Sequence, residues 1–270
     1  MVVTSDNSNN STTIVQITDS HLFATADECL LGVPTYYSLQ AVVDQVLREH
    51  TDIELVLGTG DISQDGSPTS YQYFAEQASR IDAPMRWMAG NHDVSSVQSE
   101  SSAAQKWLQP VCDLGAWRII MLDSSVDGSV FGHVSAAQLE LLEQALSSAG
   151  ERHVLVALHH QPVPIQSAWL DKIGVRNADD FLAVTDRFTN IRGIIWGHVH
   201  QEFEQLRKGV RMLAAPSTCV QFKPQSQDFA LDNTAPGYRW FKLSDDGSFT
   251  TGVSRIACGQ FQPDMDVSGY

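Results

Sequence analysis

The chain has 270 residues and carries 32 Asp and Glu against 17 Lys and Arg, a formal net charge of −15. An excess of that size repels phosphate backbones and anionic lipid, which excludes nucleic acid and membrane surfaces as partners. Hydrophobic residues at 43% supply a full globular core, and no apolar run reaches the roughly 18 residues that a membrane-spanning helix needs.

Met1 to Thr13 is rich in Ser, Thr and Asn and lacks a basic-then-apolar signal pattern, so residues 1–13 are expected to form a disordered lead-in. Residues 14–270 are expected to form a single domain, since no low-complexity linker or internal repeat interrupts them. Ile14 to Thr18 reads as a strand that exits into Asp19-Ser20-His21. Alternate strand residues share a face, so this carboxylate and imidazole point the same way. Tyr36 to Glu49 has apolar positions at helical spacing and reads as a crossover helix. Ile53 to Leu57 is a second strand, followed by Gly58-Thr59-Gly60-Asp61. Tyr71 to Ser79 reads as a helix opened near Pro68, which suits a first helical turn. Met85 to Ala89 is a third strand, and it delivers Gly90-Asn91-His92-Asp93: an amide oxygen, an imidazole and a carboxylate at one point.

Val94 to Gln109 has weak helical character. Trp117 to Leu122 reads as a strand ending at Asp123-Ser124, with Asp123 assigned to a turn or cap, and Ser135 to Ser147 as a helix capped by Ser135. His153 to Leu158 is a strand ending in His159-His160-Gln161-Pro162. Asn177 to Phe188 reads as a helix with Asn177 as cap, and Ile191 to Ile195 as a strand ending in Trp196-Gly197-His198-Val199-His200. From about residue 210 to 270 the chain turns β-rich, with runs at Val210 to Ala214, Gly237 to Leu243 and Phe249 to Arg255 and no long helix. Cys29, Cys112, Cys219 and Cys258 lie far apart, as in a reduced, cytoplasmic set.

Five strand exits therefore carry groups able to bind metal, and in α/β folds ligands gather at the carboxyl ends of strands. Six of the nine histidines lie in these stretches; His50, His133 and His153 are expected to face solvent. Carboxylate, amide oxygen and imidazole without thiolate suit Mn²⁺, Fe or Zn²⁺ in a reactive site rather than a structural zinc site. Seven such side chains exceed the needs of one ion and suit a pair. Asp61, alone at its strand end, is the best candidate to bridge. Two ions roughly 3.5–4 Å apart are the arrangement that clamps a phosphoryl group for in-line displacement. Asp179-Asp180 and Asp245-Asp246 read as solvated faces.

The series D-x-H, G-D, G-N-H-D, H-H and G-H-x-H, in this order, resembles the calcineurin-like metallophosphoesterase superfamily. Ile17 to Phe23, His159 to Pro162, Pro216 to Pro224 and Ala235 to Gly237 narrow the resemblance to the bacterial class III cyclic nucleotide phosphodiesterases. The resemblance implies an α/β fold, a four-layer α/β/β/α sandwich of two facing mixed sheets. It places one divalent cation on Asp19, His21, Asp61 and His200, and a second on Asp61, Asn91, His159 and His198. Fe²⁺ or Mn²⁺ is the expected metal, with Zn²⁺, Mg²⁺ or Co²⁺ as substitutes. The implied reaction is hydrolysis of 3′,5′-cyclic AMP to 5′-AMP by a metal-bridging hydroxide. His92, oriented by Asp93, stabilises charge or protonates the departing oxygen. Substrate contacts fall to His21, Asp61, Asn91, His92, His160 and His200, with Thr218, Cys219 and Gln221 at the rim or in a buried turn. A monomer or homodimer is expected. The alternatives are a phosphoesterase for another nucleotide or phosphoester, and a catalytically silent scaffold that binds protein.

Overall fold

The apolar runs at the start of the chain are built as parallel strands with helical crossovers. The computed structural model describes residues 11–100, 106–267 and 269. Its first part runs β1 (Ser11–Ile17), β2 (Cys29–Leu30), β3 (Val33–Pro34), α1 (Thr35–Glu49), β4 (Leu55–Thr59), α2 (Pro68–Ala78), β5 (Met85–Met88) and α3 (Ser95–Glu100). Then follow β6 (Val111–Leu114), β7 (Trp117–Leu122), α4 (Ala136–Ser147), β8 (His153–Leu158), α5 (Ala178–Thr185) and β9 (Ile191–Trp196). The remainder is β10 (Phe203–Arg207), β11 (Val210–Ala214), β12 (Gln221–Phe222), β13 (Leu231–Asp232), β14 (Gly237–Ser244) and β15 (Phe249–Arg255).

One sheet has the order β15-β14-β1-β4-β5 and the other β10-β11-β9-β8-β7-β6. Within the first, β1, β4 and β5 are parallel and β14 and β15 antiparallel; within the second, β7, β8, β9 and β11 are parallel with antiparallel edges. Both sheets are mixed. The two-residue alternation of each strand then assigns every side chain to a layer. Val15, Ile17 and Val56 pack outward on Leu39, Val42 and Val46 of α1 and Phe74 of α2. Ile14, Leu55, Leu57 and Phe241 point inward and meet Trp117, Ile119, Leu155, Ile195 and Leu213 of the facing sheet. Ile120, Val154, Val156 and Ile194 point out the other side, against Leu142 and Leu146 of α4 and Phe181 of α5. Three apolar interfaces between four layers make the expected α/β/β/α sandwich.

Several boundaries differ from the sequence reading. β1 starts at Ser11, inside the expected lead-in, because Ser11, Thr12 and Thr13 pair with Ser244, Leu243 and Lys242 of β14; the first ten residues lie outside the described ones. Ser67 caps α2 and Ser135 caps α4, each accepting a backbone N–H from its third residue on. Asn177 stands at the start of α5 but makes no side-chain cap; its amide is bonded to both the N–H and C=O of Val134 instead. Val210 to Ala214 forms a hairpin with β10 and, on its other side, lies parallel to β9, extending the second sheet. His50 and His153 are half-buried against aromatic rings, His50 on Tyr238 and Trp240 and His153 on Trp117, while His133 is exposed as expected. Of the weak helix expected over Val94 to Gln109, α3 accounts for Ser95–Glu100, and residues 101–105 lie outside the described ones.

Candidate metal centre

The parallel strands of both sheets point their carboxyl ends to one edge of the sandwich, where Asp19, His21, Asp61, Asn91, His92, His159, His198 and His200 converge. Local backbone has to turn sharply to achieve this. Among the described residues nine non-glycine positions have positive φ, and five of them are Asp19 (54°), His21 (46°), Asp61 (48°), His198 (64°) and His200 (47°). Left-handed backbone is unfavourable for residues with a Cβ and persists only where the surroundings enforce it. Here the bonds from Asp19 N–H to Gly60 O (3.0 Å) and from His21 N–H to Asp61 O (2.9 Å) hold two of these loops together. Gly60 and Gly90 lie back to back beneath them. A Cβ on Gly90 would overlap the Asp61 carboxylate, and one on Gly60 would overlap His159. Glycine is required at both positions because side chains need the space.

One pocket is formed by Asp19, His21 and His200 with Asp61. His21 Nδ1 lies 2.7 Å from Gln64 Oε1 and His200 Nδ1 lies 2.9 Å from the carbonyl of Val220. Each acceptor fixes the proton on Nδ1, so both Nε2 atoms present lone pairs inward. Those two nitrogens are 3.1 Å apart. Two lone pairs at that distance repel unless a cation lies between them. Asp19 Oδ1 is 3.4 Å from His200 Nε2, and the backbone N–H of His198 donates to both Asp19 oxygens at 2.9 and 3.1 Å.

A second pocket shares Asp61. Its Oδ2 stands 3.7 Å from His21 Nε2 and 3.2 Å from His159 Nε2, between the two sets of nitrogens. His159 Nδ1 faces the Thr59 carbonyl at 2.8 Å, so its Nε2 also points inward. His159 Nε2, His198 Nε2 and Asn91 Oδ1 are buried and complete no hydrogen bond. Buried polar atoms are almost always paired, so this concentration of bare acceptors is itself a sign of a missing cation. The donors present fit two divalent ions, with oxygen and nitrogen ligands and no thiolate. His160, expected to contact substrate, is buried beside His159 and His198. Its Nδ1 meets Ser124 Oγ at 2.9 Å, its Nε2 is buried without a hydrogen bond, and one of its ring nitrogens lies within 4.8 Å of ring nitrogens of His159 and His198.

Electrostatics agree with that fit. Burial raises the cost of ionising Asp61, yet the imidazoles of His159, His92 and His21 outweigh it and hold the carboxyl well below its usual range. Burial opposes protonation of His159, but the Asp61 and Asp19 carboxylates overcome it and raise its pKa to about 9. Burial pushes His21 down to about 3 and holds His160 and His198 far below their ordinary value. Asp61 and His159 thus stabilise each other's charged forms at the position where a cation fits.

His92 is half-buried, with its ring 4.9 Å from that of His21 and a ring nitrogen within 4.8 Å of ligand atoms of His21 and Asp61. Its N–H donates to Asp61 Oδ1 at 2.9 Å. The Asp93 carboxylate accepts from the amides of Gly90 (2.8 Å), Ser63 (2.9 Å) and Ile62 (3.2 Å). Asp93 therefore ties the Asp61 loop to the His92 loop and sets His92 through the backbone. Burial and then the Asp61 charge raise its own pKa to about 7. A cavity of about 430 Å³, lined by Asn91, His92, Asp93, Ser125, Val126 and Asp127, opens beside His92.

Sequence reasoning missed the outer partners Gln64 and Ser124 and the role of the segment after Pro216. Thr218, Cys219 and Gln221 are buried behind the site, the buried turn rather than the rim of the two placements expected for them. Ser217 Oγ donates to the Asp19 carbonyl at 2.7 Å, and Thr218 Oγ1 to Ser20 Oγ at 3.1 Å. Phe222 stacks on His200 with rings 4.2 Å apart and nearly parallel. Asp123 accepts from the N–H and hydroxyl of Ser125, as a turn residue does.

Comparison with known proteins places this geometry. Residues 12–202 match the sequence pattern of the family described as calcineurin-like phosphoesterase. The chain is 48% identical over 260 residues to a 3′,5′-cyclic adenosine monophosphate phosphodiesterase of Pseudomonas aeruginosa, covering 96% of each chain. It is 43% identical over 260 residues to the enzyme of the same name from Escherichia coli (strain K12), covering 95% of this chain and 94% of that one. A dimetal phosphatase from Danio rerio superposes with a TM-score of 0.62 at 16% identity, over 91% of this chain and 99% of its own. At that identity the likeness concerns the fold alone. By its matched pattern, its full-length relatives and its two mixed sheets, the chain belongs to the calcineurin-like phosphoesterase family.

Proposed function

We propose that this chain is a metal-dependent hydrolase that converts 3′,5′-cyclic AMP to 5′-AMP. The observation that carries the chemistry is Asp61 Oδ2, set between two groups of inward-pointing imidazole nitrogens. The substrate assignment is supported by relatives that are cyclic AMP phosphodiesterases over nearly their whole length. In this reading Asp19, His21, Asp61 and His200 hold one divalent cation, and Asp61, Asn91, His159 and His198 hold the other. Bound cations neutralise phosphoryl oxygens and acidify a water nucleophile. Fe²⁺ or Mn²⁺ suits the nitrogen and oxygen donors.

The residues around the pair divide the remaining work. Water adds to phosphorus, the bond to the ribose 3′ oxygen breaks, and that oxygen needs a proton. His92, at the mouth of the site, donates it from its imidazole, a contribution typically of about 10²–10⁴ in rate. Asp93 keeps His92 in place by holding the Gly90 amide of its own loop together with the Ile62 and Ser63 amides of the Asp61 loop. The cavity beside His92, about 430 Å³, has the size of a small-molecule site and receives the nucleoside. The four free cysteines, Cys219 fully buried, fit a reducing, cytoplasmic compartment. Residues 14–270 act as one domain in this reading, supported by the pairing of β14 with β1 and of β11 with β9.

The test is hydrolysis of 3′,5′-cyclic AMP after chelation and re-addition of Mn²⁺ or Fe²⁺, with 3′,5′-cyclic GMP, 2′,3′-cyclic AMP and 5′-AMP alongside. Metal-dependent release of 5′-AMP, with 3′,5′-cyclic AMP preferred, is the expected result. Cation binding without turnover of any cyclic nucleotide would move the assignment to another phosphoester.

A further inference from the structure

We propose that the adenine base of the substrate lies in an apolar slot beyond the cavity beside His92, where Gln98 selects it by its exocyclic amine. The inference rests on the cyclic-nucleotide reading above. The slot, about 310 Å³, lies between the carboxyl ends of β5 and β7, and α3 and α4 contribute Gln98 and Leu141 to it. It adjoins the cavity beside His92: Ser95 lines both, and Asp123 of the slot accepts the N–H of Ser125 of the cavity at 2.8 Å. Trp87, Met88, Met121 and Leu141 supply apolar wall, and an apolar pocket with a few placed polar groups is what a purine ring requires. A nucleotide with its phosphate beside His92 and its ribose in the cavity delivers its base to this slot.

The polar groups of the slot are not equivalent. Gln138 Oε1 accepts the Asp123 N–H at 3.1 Å, and Asp123 Oδ1 accepts the N–H and hydroxyl of Ser125, so these two side chains hold the loop after β7. Gln98 is only 2% exposed and donates from Nε2 to the Met88 carbonyl at 3.4 Å, long for such a bond. Among the described residues no hydrogen bond reaches its Oε1. Trp87 Nε1 is likewise buried and completes no hydrogen bond. A carbonyl can only accept, so the Met88 bond keeps the amide nitrogen on the backbone and leaves the amide oxygen to the slot. An acceptor there suits adenine, whose N6 amine donates and stands beside ring nitrogens that accept. Trp87 Nε1–H is the donor available to one of those nitrogens. Guanine carries the O6 oxygen where adenine has its amine. Two acceptors would then face each other in a buried place, each stripped of water with no partner gained. The slot therefore favours cyclic AMP over cyclic GMP.

The metal-loaded parent and Gln98→Leu are compared for kcat/KM on 3′,5′-cyclic AMP and 3′,5′-cyclic GMP. Leucine keeps an apolar side chain in the slot but removes the acceptor, and the ratio of the two values cancels any general loss of activity. The parent is expected to prefer cyclic AMP, and Gln98→Leu to lower that ratio by about 10–100-fold, mainly through the KM for cyclic AMP. A parent that turns over neither cyclic nucleotide would overturn the cyclic-nucleotide reading and this inference together. A parent that hydrolyses cyclic AMP with a ratio unchanged in Gln98→Leu would overturn this inference alone. If Gln98→Leu does not fold, the parent decides with the 3′,5′-cyclic phosphate of purine riboside, which lacks only the amine. A kcat/KM at least about tenfold below that of cyclic AMP supports the assignment, and an equal value overturns it.

Discussion

The two pockets share a carboxylate but are stabilised in different ways. In the first, both imidazoles have their outer nitrogens fixed by oxygen acceptors, Gln64 and Val220, and Phe222 supports one ring from behind. Asp19 accepts the His198 amide N–H on both carboxylate oxygens. In the second, His159 faces the Thr59 carbonyl with Nδ1 and Asp61 with Nε2, while Asn91 Oδ1 and His198 Nε2 are buried without a hydrogen bond. The first pocket is shaped by the fold, whereas the second is completed by what it binds. A buried group left unpaired costs free energy, so the second pocket trades stability for affinity, as functional sites commonly do.

The sharpest way to break this comparison is Asp61→Ala, which takes one ligand from both pockets at once. Cation content should fall below two per chain and turnover by at least about 10³, since the metals supply several kcal/mol of transition-state stabilisation. Elemental analysis showing two tightly held ions would refute the shared role. His92→Ala probes a group at the mouth of the site, beside His21 and Asp61. Turnover should drop by about 10²–10⁴ with both cations retained, and a variant that loses metal instead would make His92 a ligand.

Gln64→Ala tests whether the fold shapes the first pocket. Removing the acceptor of His21 Nδ1 should weaken one cation by about 10–100-fold and leave the other alone. Equal weakening of both, read by titration, would show that the pockets are not independently supported. The smallest effect is in pH. In the metal-free chain His159 has a pKa of about 9, above the ordinary 6.5, so it is protonated at pH 7 and must lose that proton to bind metal. Affinity at the second pocket should therefore rise by up to about tenfold per pH unit as pH approaches 9, with about one proton released per ion. Calorimetry in buffers of different ionisation enthalpy measures that proton, and its absence would place the site's compensating charge elsewhere.

Much of the fold was legible because it is written locally. A parallel strand buried on both faces is a short apolar run, and the polar residues that follow it must lie at its carboxyl end. That is how Asp19, His21, Asp61, Asn91, His159, His198 and His200 could be assigned to one edge before any coordinates. Strands that depend on partners were harder. β10 and β6 are short edges, half-exposed and without strong alternation, and β11 reads like one arm of a tail hairpin until its pairing with β9 is seen.

The sequence by itself determined the donor set, the order of the strand exits and the absence of thiolate from the centre. Only the tertiary structure decided which nitrogen of each ring faces inward, that Asp93 grips backbone amides, that the Pro216 segment lies behind the site, and that His160 is buried beside His159 and His198. The reason is distance along the chain. The acceptors that set the tautomers are 43 positions away for His21, 100 for His159 and 20 for His200. Spacing within a motif reports which side chains leave a strand together, but a hydrogen-bond partner delivered by another strand is chosen only when the sheets close on each other.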